Sequence, residues 1–295
     1  MKWDDNGPSQ DLEDRRGESS GGGGGGFRLG GGRLGIGGFL VLLVLSVVFK
    51  TDLTGALGGG GSASPVPQSS PAAGRSPQPV QTSAQEEELV RFVSFVLDDA
   101  QNNWAKVFAD GNAQYTRARL VLFRDQVNTG CGAAQSATGP FYCPADQKVY
   151  IDLGFYDELR RRFGAPGDFA QAYVLAHEIG HHIQNLLGSE RKMRQLQQSN
   201  PGARNELSVR LELQADCYAG IWGKHAQAQG RLDDGDVDEA LRAASAVGDD
   251  RISEMTGSAI RPESFTHGSA AQRTAWFRRG FDSGRIDACD TFSSK

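Results

Sequence analysis

The sequence has no excess of basic residues. Its 295 residues include 31 lysines and arginines against 36 aspartates and glutamates, which leaves a formal net charge of −5 at pH 7. It also has no basic patch and no nucleic-acid-binding motif, features that nucleic-acid-binding domains normally carry. We therefore expect no nucleic-acid partner.

Cysteine is scarce, with four residues, at positions 131, 143, 217 and 289. No two of them form a Cys-x-x-Cys pair, which argues against a structural zinc site built from thiolates.

The sequence also lacks a charge-free hydrophobic run of full membrane-spanning length. The nearest approach, residues 34–49, has 16 uncharged residues, whereas a transmembrane helix needs about 17–25. Arg33 and Lys50 flank the run and can extend it by snorkelling. We interpret residues 34–50 as a transmembrane anchor. A cleaved signal peptide is the alternative, although the long segment 1–33 precedes the run and the best cleavage site, Gly61-Ser62-Ala63, lies well beyond it.

Positive charge is distributed unevenly about this run. Arg15, Arg16, Arg28 and Arg33 precede it, whereas only Lys50 follows it closely. The positive-inside rule predicts a cytoplasmic N-terminus and a domain outside the cytoplasm, in a bacterial periplasm or at the cell exterior.

The segments on either side of the run have compositions typical of disorder. Residues 1–33 are polar and glycine-rich and are predicted to form a disordered tail. Residues 51–85 are rich in glycine, serine and proline and are predicted to form a flexible linker. We therefore expect residues 1–85 to contribute no core and residues 86–295 to form one domain.

Within residues 86–295 the hydrophobic pattern is mostly helical. Two segments have strand character, at 118–124 and 149–153. Helical patterns occur at about 86–110, 155–163, 168–187, 203–229, 236–246 and 269–280. The predicted fold class is α+β, mostly helical, with a small sheet preceding the helix at 168–187.

That helix contains the segment His-Glu-Ile-Gly-His, an H-E-x-x-H motif at 177–181. Two histidines four residues apart project from one helix face, so His177 and His181 can bind one zinc ion. Glu178 lies beside the metal, where it can take a proton from water. Gly180, unfavourable inside a helix, would leave room beside the metal. The alternative is a buried helix with two hydrogen-bonded histidines.

A catalytic zinc takes three protein ligands, so a third must come from elsewhere. Glu212 and Asp216 lie four residues apart in the helical pattern at 203–229 and therefore share a face. We assign Glu212 to the metal and Asp216 to orienting a ligand histidine. The reverse assignment is possible, and Glu206 is a weaker rival. The alternative for any of these acids is a solvated helix face.

This combination of motifs resembles the glutamate-type zinc peptidases. More closely, the chain resembles a bacterial family described as putative neutral zinc metallopeptidases. The matching segments lie within residues 86–295, at 129–132, 139–144, 150–153, 177–182, 212–218 and 266–268. The resemblance implies a zincin-like domain with His177, His181 and Glu212 as zinc ligands and Glu178 as the catalytic base.

An exported domain meets oxidising conditions, in which disulfides persist. Cys131 and Cys143 bracket a glycine-containing loop and are predicted to pair, which leaves Cys217 and Cys289 for a second bridge. Buried free thiols are the competing interpretation, since four cysteines do not determine their own connectivity.

His267, in a Thr-His-Gly segment, is a further catalytic candidate because such peptidases often place a donor opposite the metal to stabilise an oxyanion. A lone histidine is more often structural. His182 points about 100° away from His181 around the helix, so we exclude it as a ligand.

The leading functional hypothesis is Zn²⁺-dependent hydrolysis of a peptide or protein substrate. A non-catalytic, zinc-stabilised envelope-binding module and an amidase acting on cell-wall peptides are the alternatives. The former has no need of Glu178, whereas the latter would use the same residues.

Overall fold

The computed structural model describes residues 1–18, 82–161, 164 and 167–293. In chain order its strands are β1 (Leu12–Asp14), β2 (Arg119–Phe123), β3 (Gln126–Thr129), β4 (Gly132–Gln135), β5 (Phe141–Cys143) and β6 (Lys148–Asp152). Its helices are α1 (Ala84–Asp110), α2 (Gly154–Arg161), α3 (Asp168–Leu187), α4 (Ser189–Ser199), α5 (Arg204–Ala228), α6 (Asp236–Ala246), α7 (Asp249–Thr256) and α8 (Ala270–Ser283). The predicted α+β class with a small sheet before the histidine helix is confirmed.

The main sheet has the strand order β1-β2-β6-β5. Strands β1, β2 and β6 run parallel, and β5 pairs antiparallel with β6 at one edge. Four consecutive residues of β2, from Leu120 to Phe123, are buried, as expected for a strand covered on both faces. Strands β3 and β4 form a separate hairpin.

The helical layer is built around α3 and α5, which pack against each other. Helix α5 is buried on most sides, and α8 packs closely against it. Large side chains that fill this layer include Trp104, Tyr173, Phe169, Trp222 and Phe277. The core therefore holds the two motif-bearing helices in fixed relation.

Helix boundaries agree with the sequence patterns where capping residues mark the helix ends. Helix α3 has the predicted bounds. Gly167 is its N-cap, and Gly188 closes it with φ of +79°. Helix α1 begins two residues before the predicted start, because the Ser83 side chain caps it by accepting a hydrogen bond from the Glu86 amide. Helices α4 and α7 were not predicted.

The expectation that residues 1–85 contribute no core is wrong for residues 1–18. Strand β1 pairs with β2, and Met1, Ser9 and Arg16 are buried. Composition gives a wrong prediction for residues 1–18 because a short segment needs no core of its own when it can pair with an existing strand and pack against an existing helix.

The predicted anchor at 34–50 and most of the predicted linker at 51–85 lie outside the described residues. In the part of the chain that the structure describes, no helix is both long enough and apolar enough to cross a membrane.

Both predicted disulfides are present. Cys131 pairs with Cys143, which joins the β3–β4 hairpin to the edge strand β5. Cys217 pairs with Cys289, which joins α5 to the C-terminal segment. None of the four thiols is free.

Candidate metal centre

Helix α3 places His177 and His181 one turn apart, with ring centroids separated by 4.8 Å. Helix α5 approaches from the other side and brings Glu212 to both rings. The Nε2 atom of His177 lies 3.2 Å from Oε2 of Glu212, and Nε2 of His181 lies 3.6 Å from Oε1. The three side chains offer ligand atoms that all lie within 4.8 Å of one another. Two sequence motifs thus converge on one point.

The other ring nitrogen of each histidine has its own partner. The Nδ1 atom of His177 donates to the Asp216 carboxylate at 2.8 Å, because a carboxylate can only accept. The Nδ1 atom of His181 lies 2.8 Å from Oε1 of Gln184, whose amide nitrogen donates to the Leu211 carbonyl. Both Nε2 atoms therefore face Glu212, where each could bind a metal ion in place of a proton.

These contacts separate the roles of the two acids on α5. Asp216 is fully buried and accepts hydrogen bonds from His177, Tyr173 and Arg273, so its oxygens are already engaged. Glu212 faces the two Nε2 atoms, as the sequence-based assignment requires. Glu206, the weaker rival, is exposed and pairs with Arg210 one turn along the same helix.

The charges of this cluster shift its proton affinities. Burial alone would lower the pKa of His177, but Asp216 and Glu212 beside its two nitrogens raise it to about 9. Burial alone would raise the pKa of Glu212, but the two histidines hold it well below its ordinary range. A metal ion would compete with the proton on Nε2 of His177.

Glu178 lies beside the histidines and is only 7% exposed. It lines the same cavity as His177, His181 and Glu212, a space of about 430 Å³. Burial raises the pKa of its carboxyl above the ordinary value, against the lowering effect of the neighbouring histidines. A raised pKa suits a group that must accept a proton and release it again.

His267 lines this cavity as well, with its side chain 32% exposed. The carboxylate of Asp249, at the start of α7, holds it in place. Oδ1 of Asp249 lies 3.2 Å from Nδ1 of His267, and Oδ2 accepts from the backbone amides of Thr266, His267 and Gly268. The remaining ring nitrogen, Nε2, is left without a protein hydrogen bond in the described residues.

Sequence analysis missed Arg273, Asp249, Tyr173 and Gln184 as parts of the site. Tyr173 and Gln184 lie one turn before His177 and close to one turn after His181 on α3, so helical spacing alone could have nominated them. Arg273 lies one turn before the buried Phe277, which is the only local indication that it faces inward.

Two residues near the motif have structural contacts. Nε2 of His182 donates to the Thr116 carbonyl, which leaves Nδ1 to accept from the Tyr142 hydroxyl. The sequence predicted that Gly180 would leave room beside the metal, but the space next to this glycine is occupied by α5. A Cβ atom there would lie 2.9 Å from the Ala215 carbonyl oxygen, so glycine permits the close approach of α5.

The donor set fits zinc, because two imidazoles and one carboxylate are a common ligand set of catalytic zinc sites. A second group of acids, Asp168, Asp236 and Glu239, offers oxygens only. The Met1 amino group lies 2.7 Å from Asp168 and 3.4 Å from Asp236, so a cation already satisfies those two carboxylates.

Comparison with known proteins agrees with this chemistry. Residues 1–292 match the family described as putative neutral zinc metallopeptidase. The uncharacterized protein YpfJ of Escherichia coli strain K12 is 48% identical over 297 residues, covering 99% of each chain. The uncharacterized protein Mb2605 of Mycobacterium bovis is 48% identical over 191 residues, covering 61% of this chain and 64% of its own. No solved structure matches. The chain belongs to the family of putative neutral zinc metallopeptidases.

Proposed function

We propose that this protein is a zinc-dependent endopeptidase in which His177, His181 and Glu212 bind the metal and Glu178 is the general base. The observation that carries the proposal is the convergence of both Nε2 atoms on the Glu212 carboxylate, with Glu178 buried in the same cavity. Zinc, when bound, polarises a substrate carbonyl and increases the acidity of a coordinated water.

Glu178 accepts a proton from the attacking water and later delivers it to the leaving amine. Its burial supports this cycle, because the raised pKa of the carboxyl makes the protonated form accessible. In the described residues it has no salt bridge to an arginine or lysine that would hold it ionised.

His267 donates a hydrogen bond from Nε2 to the oxyanion that develops during attack. Asp249 supports this role in two ways. It orients the ring through Nδ1, and its charge raises the pKa of the imidazole, against the lowering effect of burial. The protonated ring is the better donor to a negative oxygen.

The lining of the cavity and the adjacent strand edge support a peptide substrate. Phe141 and Tyr142 of β5 line one wall, together with Pro140, and Val174, Leu211 and Ile252 line other parts. Strand β5 lies at a sheet edge, and no strand of the described residues pairs with its outer side. An extended substrate would pair with that edge while an apolar side chain entered the cavity.

The alternatives use the same site differently. An envelope-binding module would need the metal ligands but no buried Glu178, and this residue favours the enzyme. An amidase acting on cell-wall peptides would share every residue named above, and its distinguishing property is the substrate. Membrane attachment through residues 34–50 stays a prediction from the sequence.

The substitution Glu178→Gln tests the proposal. We expect the variant to retain one zinc per chain and the wild-type melting temperature but to lose about 10²–10⁴-fold in hydrolysis of an unfolded protein such as casein. Glu190→Gln is the matched control, because Glu190 lines the same cavity but pairs with the exposed Arg194. Hydrolysis by Glu178→Gln at the rate of the control would contradict the assigned base.

A further inference from the structure

We infer that residues 1–18 are an integral part of the domain that holds the metal site and lie in the same compartment as that site. This inference is independent of the proposed peptidase activity, because it depends only on how the N-terminal segment is seated in the fold.

The backbone of the segment continues the main sheet. Leu12, Glu13 and Asp14 of β1 pair in parallel with Leu120, Val121 and Leu122 of β2. At the two ends of the ladder, the Leu120 amide donates to the Asp11 carbonyl and the Arg15 amide donates to the Leu122 carbonyl, each at 2.8 Å. Without β1, these polar groups of β2 would lie at an open sheet edge.

Arg16 fixes the segment to the start of α1. Its side chain is only 2% exposed and makes ion pairs with Asp14, Glu86 and Glu87 at 2.6, 2.8 and 3.2 Å. A buried guanidinium is strongly unfavourable unless carboxylates surround it. Glu86 also pairs with Arg124, which directly follows β2. Two of the three carboxylates therefore come from a helix that is distant from Arg16 in the sequence.

Further contacts run along the length of the segment. Ser9 donates to Asp98, and Asp11 accepts from Gln101 and Arg117. Lys148 of β6 pairs with Glu13 at 2.8 Å. Trp3 packs edge-on against Phe92, with ring centroids 5.6 Å apart.

The segment also reaches the helix that carries the histidines. The Met1 amino group contacts Asp168, the first residue of α3, at 2.7 Å. One end of the segment thus contacts α3, the helix that carries the histidines, and the other end contacts α1, which lies between β1 and β2 in the sequence.

This arrangement has a consequence for membrane topology. A single membrane crossing at residues 34–50, as the sequence predicts, would put residues 1–33 and 86–295, and therefore β1 and β2, on opposite sides of a membrane in either orientation. Paired strands cannot be separated in this way. Residues 1–18 and 82–293 must share one compartment, whatever path the chain takes between them.

Cysteine labelling in intact cells tests the shared compartment. Asn6→Cys and Gln114→Cys place single exposed thiols on the segment and on the domain, and the native cysteines are paired. A membrane-impermeant maleimide is applied before and after permeabilisation of cells that produce the full chain. We expect both thiols to react under the same condition. Reaction of one before permeabilisation and of the other only afterwards would overturn the inference.

Thermal unfolding tests whether residues 1–18 are packed into the domain. In the purified full chain, Arg16→Ala should lower Tm by about 5–10 °C, because it removes the buried side chain whose ion pairs with Glu86 and Glu87 join the segment to α1. Arg15→Ala is the matched control, since Arg15 pairs with the exposed Glu18. Equal Tm values for the two variants would show that the segment is not an integral part of the domain.

Discussion

Arg273 donates to both carboxylate oxygens of Asp216, from Nε to Oδ2 at 2.8 Å and from Nη2 to Oδ1 at 2.9 Å. The same Oδ1 accepts from Nδ1 of His177. One buried carboxylate therefore joins α8, α5 and α3. Asp216 thus holds Nδ1 of His177, and Glu212 faces Nε2 of the same ring.

Replacement of Arg273 should weaken zinc binding. In Arg273→Gln the Asp216 carboxylate loses its ionic partner and no longer holds the His177 ring in one orientation. We expect the zinc dissociation constant to rise about 10–100-fold, as is usual when an outer partner of a metal ligand is removed. The measurement is chelator competition on the folded protein.

The control for this variant is Arg278→Gln, an exposed position on the same helix. The substitution Arg273→Lys keeps the charge but lacks the planar guanidinium that donates to both carboxylate oxygens. Its zinc affinity should therefore fall between those of Arg273→Gln and wild type. Equal zinc affinities for Arg273→Gln and Arg278→Gln would show that Arg273 does not act on the metal position.

The alkaline limit of activity should depend on Asp249. Burial alone would lower the pKa of His267, but the hydrogen bond and charge of Asp249 and the charge of Glu212 raise it above its ordinary value. Activity that needs the protonated ring is complete below this pKa and is lost as pH rises through it. Asp249→Asn removes a negative charge, so the alkaline limb of kcat/KM should move to lower pH.

The control is Asp250→Asn, because Asp250 accepts from the Ala270 amide rather than from His267. Its pH–rate profile should match that of wild type. An unchanged alkaline limb in Asp249→Asn would show that protonated His267 does not take part in the rate-limiting chemistry.

The sequence predicts the local parts of this site better than its long-range parts. Helix α3 was predictable because its apolar pattern is periodic and Gly188 ends it, and the i,i+4 pairs of histidines and acids share helix faces by geometry alone. The partnership of Arg273 with Asp216 depends on the packing of α8 against α5, which no local pattern encodes. Strand β1 has only three residues, two of them acidic, and it forms because it pairs with β2.

The packing of α8 against α5 depends on Gly280. A Cβ atom at this position would lie 1.9 Å from the Cys217 carbonyl oxygen, and backbone atoms cannot move aside as a side chain can. Gly280→Ala should therefore displace α8 and destabilise the fold by about 3 kcal/mol or more. Urea unfolding measures this change.

Gly202→Ala is the control, because a Cβ atom there meets nothing closer than an Asn200 side-chain atom at 3.7 Å. Displacement of α8 also moves Arg273, so Gly280→Ala should bind zinc more weakly even where it remains folded. Wild-type stability for Gly280→Ala would contradict the close helix contact.

The two disulfides should differ in their contribution to stability. The Cys217–Cys289 bridge closes a sequence separation of 72 residues, against 12 for Cys131–Cys143. In the chain-entropy account these loops correspond to about 4 and about 3 kcal/mol. Cys217 and Cys289 are both fully buried, whereas in the other pair Cys143 is buried and Cys131 is exposed, so replacement by serine adds the larger burial cost at the Cys217–Cys289 bridge. The double variant Cys217→Ser/Cys289→Ser should therefore unfold at lower urea than Cys131→Ser/Cys143→Ser. If Cys131→Ser/Cys143→Ser unfolded at the lower urea concentration, the Cys131–Cys143 bridge would contribute more to stability than the Cys217–Cys289 bridge, against this prediction.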